Sequence, residues 1–409
     1  MLFRSNPQMK ALEQLKGEFE ATHPDIKVNL LILPENEIRA KVTTDVATGA
    51  GTFDLITVGM YEVPLWAKQG WIDEVGTTLD ADPAYDSADF FQSIRDGLSF
   101  EGKLYAAPFY GESSSLFYRK DLFAAAGITL PVKPTWDDVV AAAAKLHKPD
   151  QGQYGICLRG LPGWGEQGAP LGTVINTFGG RWYDAGWNAQ VTSQQTTDAI
   201  KFYIDTVQKY GEPDAIKAGF TECETLMVQG KVAMWYDATV AAGLLEADDS
   251  PVKGKNGFAL APTKVTEGSG WLWAWALAIP QNAPDPDTAW QYVSWATGPD
   301  YLVTAGENLA GGWAAVPPGT RQSLYANENY QAAASAFAQK TLDAMLAAPI
   351  NNPGTKPRPG LPGVQFVGVP EFQDVGTRCT EEFSAVIAGN KSIDDALAAC
   401  QAIASEVSN

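Results

Sequence analysis

The sequence predicts an α/β protein built as two lobes, on three observations. The chain has 409 residues, more than one ordinary hydrophobic core accommodates. Predicted strands alternate with helices, and the alternation starts afresh after about residue 115, which is the signature of successive βα units. Segments rich in Gly, Pro and small residues fall near 108–113, 262–270 and 310–319. Several such crossings make a stiff hinge rather than a loose linker. The expected partition is residues 1–109 with 266–312 in one lobe and 113–262 with 316–409 in the other.

The elements follow in order. Asn6-Pro7 opens a helix, a capping Asn followed by Pro at the first helical position, and Met9, Leu12, Leu15 and Phe19 then recur at helical spacing. His23-Pro24 stops it. Residues 26–33 read as a buried strand, 37–47 as a helix ending at Gly49, 53–58 as a strand and 61–70 as a short helix. In the second half Thr135-Trp136-Asp137-Asp138 caps an Ala-rich helix to Leu146. Residues 154–158 read as a strand, 196–210 as a helix, 231–236 as a buried strand, with a helix from about Ala238. Residues 375–407 read as two helices around Gly389-Asn390, one carrying Cys379 and the other Cys400, a pair that a disulfide would staple. A Cys157–Cys223 bridge is the second possible pairing.

Composition excludes several classes of function. With 29 Lys+Arg against 48 Asp+Glu the formal charge is -19, which repels phosphate backbones and anionic lipid, so no nucleic-acid partner is expected. No apolar run approaches the roughly 20 residues of a membrane span; residues 271–279 form the longest candidate and fall well short. Two histidines and no Cys-x-x-Cys speak against a zinc site, and no clustered carboxylate motif speaks for calcium. No cofactor or metal is expected.

The residues suited to recognition are aromatic and polar side chains beside turn signals. Trp271, Trp273 and Trp275 share one face if their segment is a strand. Trp164 sits between Gly163 and Gly165, where neither helix nor strand forms readily, and Trp273 and Trp313 resemble it in lying near Gly-rich segments. Aromatic faces suit the C–H faces of carbohydrates and polyols, although core packing is the ordinary role of any one Trp and accounts for Trp136, Trp290 and Trp295. A hydroxyl is donor and acceptor at once. Glu112 after Tyr110-Gly111, Asp237 at the end of the 231–236 strand, Arg39, Arg159 and Asn176 before Gly179-Gly180 are the matching polar candidates. Asp237 also reads as a cap for the helix that follows it.

An ordered set of motifs resembles the family 1 extracellular solute-binding proteins, the maltose-binding-like cluster. The set is Val58-Gly-Met-Tyr-Glu-Val-Pro-Leu-Trp66 with Gly70-Trp71, Ala107-Pro-Phe-Tyr-Gly-Glu-Ser113 with Phe117-Tyr-Arg-Lys-Asp-Leu122, Pro134-Thr-Trp-Asp137, Gly230-Lys-Val-Ala-Met234 and Ala283-Pro-Asp-Pro-Asp-Thr-Ala-Trp290. It spans nearly the whole chain. Within the family, Pro34-Glu-Asn-Glu-Ile-Arg39, Val42-Thr-Thr-Asp45, Trp313-Ala-Ala-Val-Pro-Pro-Gly-Thr-Arg321, Val364-Gln-Phe-Val367 and Pro370-Glu-Phe-Gln373 are similar to sorbitol/mannitol-type polyol-binding members. The resemblance implies a periplasmic or lipid-tethered binding protein of the two-lobed periplasmic-binding-protein fold (type II-like, cluster D). It implies three inter-lobe crossovers, a ligand cleft and an open–closed equilibrium. It also implies a monomer that delivers a small neutral polyhydroxy ligand to the membrane subunits of an ABC permease. Met1-Leu-Phe-Arg-Ser5 has no signal-peptide features, so the resemblance implies that a leader has been removed. It makes Glu112 a carboxylate contact after the first crossover, Asp237 a contact from the second lobe, Arg39 and Tyr61 contacts on cleft-facing loops, and Asn6 a first-loop contact; Phe366 joins them within the polyol-type motif. Only five residues precede Asn6, so strand one is expected to be short.

Two alternatives remain at this stage. One is a monosaccharide or oligosaccharide ligand for the same fold. The other is a carbohydrate-active hydrolase using Glu112 and Asp237, since glycoside hydrolysis needs two carboxylates about 5–9.5 Å apart.

Overall fold

The computed structural model describes residues 1–4, 6–357 and 365–407. It divides into two compact units, Met1–Glu112 with Trp273–Gln339 and Ser113–Leu272 with Lys340–Asn409. The chain therefore passes from unit to unit at 112/113, 272/273 and 339/340. The last of these differs from the expected partition. Residues 316–339 pack with the first unit, and 266–272 with the second. The expected crossing at 310–319 is instead held inside the first unit, where the Gly111 N–H donates to the Pro318 carbonyl at 2.8 Å.

The first unit is organised by a five-stranded sheet in the order Leu31–Leu33, Leu2–Arg4, Ile56–Gly59, Trp273–Ala278, Ala107–Glu112. The first three are parallel, and Trp273–Ala278 runs antiparallel to both of its neighbours. All six residues of each of the last two strands are buried, as expected for strands covered on both faces. Helix Pro7–Thr22 starts as the sequence requires, the Asn6 side-chain Oδ1 accepting from Met9 N at 3.0 Å, and its buried stripe is Met9, Leu12, Leu15 and Phe19. Helices Glu35–Thr48 and Glu62–Gln69 end at Gly49 and Gly70, both left-handed. The first strand is three residues long, and only Leu31–Leu33 of the predicted 26–33 run is laddered.

The second unit departs from the parallel units predicted for it. Its sheet has the order Met234–Ala238, Ser114–Arg119, Asn256–Leu260, antiparallel throughout. The expected 154–158 strand makes only isolated parallel bridges, Tyr154 to Val232 and Cys157 to Trp235. The reason lies in two backbone donors: the N–H groups of Gly155 and Ile156 both turn to the Tyr210 carbonyl, at 2.9 and 3.2 Å, and are lost to the ladder. Helix Trp136–Leu146 carries the predicted capping box of Thr135 and Asp138. Gln194–Tyr210, Phe372–Ile387 and Ile393–Ala404 are helical. The helix expected near Ala238 is only a short 3-10 turn, Thr239–Ala241, followed by Ala242–Leu245. All four cysteines are bridged, Cys157 to Cys223 and Cys379 to Cys400.

Two predictions follow from the packing. Gly319 has φ +82°, and a Cβ there would strike the Gly111 backbone. Gly319→Ala combines the left-handed penalty of about 1–2 kcal/mol with that clash, so urea unfolding should show a loss of more than about 2 kcal/mol. Glu212 is buried, and neither carboxylate oxygen has a hydrogen-bond partner from another described residue. Burial, reinforced by the Asp214 charge, pushes its pKa from 4.5 up to about 7. The folded chain holds this proton more tightly than the unfolded one, so the stability it contributes is full below about pH 4.5 and is lost as pH rises through 7. In Glu212→Gln the fall in unfolding free energy between pH 5 and pH 8 should shrink by about 2–3 kcal/mol.

Candidate functional site

Each unit contains a buried guanidinium held by two carboxylates and bordered by aromatic rings. In the first unit the centre is Arg39. Its Nε and Nη2 donate to Glu35 Oε1 at 3.0 and 2.9 Å, and its Nη1 donates to Glu62 Oε1. The three side chains are at most 8% exposed. The guanidinium lies 4.5 Å from the Trp275 ring centroid and 5.6 Å from that of Trp273, within the range of cation–π attraction. Arg39 is not on a loop, as the resemblance implied. It sits in helix Glu35–Thr48, inside the 37–47 helix that the periodicity predicts, and the start two residues earlier adds Glu35 at the i−4 position of Arg39.

The other first-unit candidates surround this centre to different degrees. Glu112 ends its strand directly opposite Trp273 and is buried. Tyr61 immediately precedes helix Glu62–Gln69 and is buried. Trp273 packs on Gly59, where a Cβ would overlap its ring, and meets Trp275 edge-on at 5.9 Å. Asn6 is occupied structurally: beyond its cap, its amide nitrogen donates to the Tyr110 hydroxyl at 2.5 Å. Trp313 is half-exposed in the turn Gly312–Ala315 and lies flat on Gly306 of helix Pro299–Asn308. Trp271 does not share a strand with Trp273 and Trp275. The strand starts at Trp273, and Trp271 belongs to the second unit, edge-on to Tyr236 at 6.1 Å.

In the second unit the centre is Arg159. Its Nε and Nη2 meet the two oxygens of Asp237 at 2.8 and 2.5 Å, a bidentate pair. Its Nη1 donates to the Gly165 carbonyl at 2.9 Å and to Glu166 Oε2 at 3.4 Å. Asp237 is fully buried and also accepts from Trp235 Nε1 at 3.0 Å and from Ala238 N at 2.7 Å. It lies within strand Met234–Ala238, so it is not the cap of a following helix, and its oxygens are spent on the protein itself. Trp164 stacks on Phe366 with centroids 4.1 Å apart, both buried. Asn176 lies in the last turn of helix Gly168–Thr177, before Gly179-Gly180 as expected, and is buried.

Sequence reasoning missed Glu35, Glu62, Glu166 and Trp235. Glu35 was legible as the i−4 partner of Arg39, and Glu62 as the neighbour of Tyr61. Glu166 reaches Arg159 through loop geometry that no spacing rule captures. Among the described residues no group of three His, Cys, Asp or Glu is gathered to hold a metal, and no helix is long and apolar enough to cross a membrane.

Comparison with known proteins supplies the wider context. The family model for bacterial extracellular solute-binding proteins matches residues 5–302. A mannitol-binding protein of Pseudomonas aeruginosa is 46% identical over 401 residues, covering 97% of this chain and 90% of that protein. The crystal structure of an ABC transporter solute-binding protein from Agrobacterium vitis S4 with bound D-mannitol is 44% identical, with a TM-score of 0.96, covering 99% of this chain and 96% of that one. A second, from Agrobacterium radiobacter K84 in complex with ribitol, is 23% identical with a TM-score of 0.84 over 99% and 97% of the two chains, and shares the fold. By its family match, its identity to that relative and its two-lobed α/β architecture, this chain belongs to the bacterial extracellular solute-binding proteins.

Proposed function

We propose that this chain captures a neutral sugar alcohol, with mannitol as the preferred ligand, and hands it to an ABC permease. The observation that carries the reading is the identity of nearly one residue in two, over almost the full length, to a protein named for mannitol binding. The chemistry of the two centres supports it. Each guanidinium is met by two carboxylates, so donors and acceptors stand side by side in each cluster. A neutral hydroxyl accepts from the guanidinium and donates to a carboxylate without disturbing the charge balance. Arg39, Glu62 and Glu112 are the proposed polar contacts of the first unit and Arg159 that of the second. Trp273, Trp164 and Phe366 supply apolar surface for C–H faces. Asp237 is a positioning residue that fixes Arg159.

The same reading places the protein outside the cytoplasm, where its two disulfides would persist, and makes it a binding protein rather than a hydrolase. A hydrolase needs a carboxylic group available for proton transfer or attack, and Asp237 is committed to Arg159, Trp235 and a backbone N–H.

Titration calorimetry against D-mannitol, sorbitol, ribitol, glucose and maltose tests the ligand. Mannitol should bind with the lowest Kd and raise the melting temperature as RT ln(1 + [L]/Kd) predicts. Binding of glucose or maltose in preference to every alditol would overturn the polyol reading, and release of reducing sugar from an oligosaccharide would overturn the absence of chemistry. Arg39→Ala and Arg159→Ala should each weaken mannitol binding about ten- to hundredfold, as loss of a buried hydrogen-bond partner does. Asp237→Asn and Arg159→Ala each break the same buried pair, so both should also lower unfolding free energy by about 3–5 kcal/mol, measured in urea without ligand.

A further inference from the structure

Arg159 lies in a closed ring of contacts that a covalent bond completes. Cys157 forms a parallel bridge with Trp235, its N–H donating to the Met234 carbonyl at 2.9 Å. Two residues farther along each segment, on the same face by the period of extended chain, Arg159 meets Asp237. The Cys157 sulfur is bonded to Cys223, which lies in helix Phe220–Val228. The first residue of that helix returns to Arg159 by two routes. The Phe220 N–H donates to Glu166 Oε2 at 3.1 Å, the same oxygen that accepts from Arg159, and the Phe220 ring lies 5.3 Å from the guanidinium. Phe220 also packs on Trp235 at 5.4 Å. Gly219 leaves room for this contact: a Cβ there would stand 2.6 Å from Glu166 Oε2.

We infer that the Cys157–Cys223 disulfide is a positioning brace for Arg159, holding helix Phe220–Val228 against the segment that carries the guanidinium so that its hydrogen-bond directions are set before ligand arrives. The inference rests on Arg159 being a ligand contact only for its effect on affinity; the brace itself is a property of the second unit. Cys379–Cys400 is the internal control. It joins two consecutive helices, Phe372–Ile387 and Ile393–Ala404, and takes no part in the ring.

The test compares C157S/C223S with C379S/C400S in the full chain. The first readout is hydrogen exchange of the Arg159 Nε–H, assigned by its disappearance in Arg159→Lys. It should exchange at least about tenfold faster in C157S/C223S, as expected when a braced buried bond opens locally, and should be unchanged in C379S/C400S. The second is mannitol affinity. It should fall about tenfold in C157S/C223S, stay within about twofold in C379S/C400S, and fall no further when C157S/C223S is added to Arg159→Lys, since coupled residues are non-additive. Should C157S/C223S not fold, Glu166→Ala, which removes the shared acceptor and opens the same ring with the disulfide intact, should reproduce both effects. Unchanged Nε–H exchange in C157S/C223S, or in Glu166→Ala where C157S/C223S does not fold, overturns the brace. Faster exchange with unchanged mannitol affinity keeps the brace and overturns Arg159 as a ligand contact.

Discussion

Burying a guanidinium is tolerable only where acceptors replace the water it gives up, and at Arg39 and Arg159 carboxylates supply most of them. Arg159 is 3% exposed and Asp237 is not exposed at all, so the bidentate pair must be satisfied on every side. That demand explains the surroundings: Trp235 and the Ala238 N–H complete Asp237, and Gly165 and Glu166 complete Arg159. A buried ion pair adds little net stability, because desolvation offsets much of the Coulomb gain. What it supplies is direction, a set of donors and acceptors fixed in place, which is what recognition of a hydroxyl-bearing molecule needs.

Arg39 obeys the same constraint with different parts. Its carboxylates come from one turn earlier in its own helix and from the start of the next, and its flat faces are covered by Trp275 and Trp273 from the fourth strand of the five-stranded sheet. The strand can bring Trp273 this close because Gly59 leaves room on the neighbouring strand. Backbone and side chain are thus coupled: a glycine in one strand makes space for an aromatic ring in the next, and the ring covers the cation. The same economy recurs at Gly219, whose missing side chain admits the Glu166 carboxylate.

The acidic balance of the chain, -19 overall, fits this picture. Acidic residues outnumber basic ones, 48 to 29, a balance that disfavours anions and leaves a neutral ligand unaffected. Exposed pairs such as Lys209 with Asp205 and Lys201 with Asp394 cancel their own charges and are each worth little to stability.

The sequence by itself determined the elements whose signals are local. The Asn6-Pro7 helix start, the Thr135–Asp138 capping box, the Gly49 and Gly70 stops and the alternating α/β pattern of the first unit all depend on contacts within a few residues. The ordered motifs made the family legible, and Arg39, Arg159, Glu112 and Asp237 stood out as polar residues beside turns. Only the tertiary structure decided what those residues do. It decided that Asp237 serves Arg159, that Asn6 is spent on Tyr110, that Trp271 parts from Trp273, and that residues 154–158 lose their ladder to the Tyr210 carbonyl. It also set the third crossing at 339/340, some twenty residues beyond the Gly-Pro-rich segment that suggested it. Each of these outcomes rests on partners distant in the chain, in the Arg159–Asp237 pair 78 positions apart, and a residue's local spacing carries no record of which distant group will satisfy it.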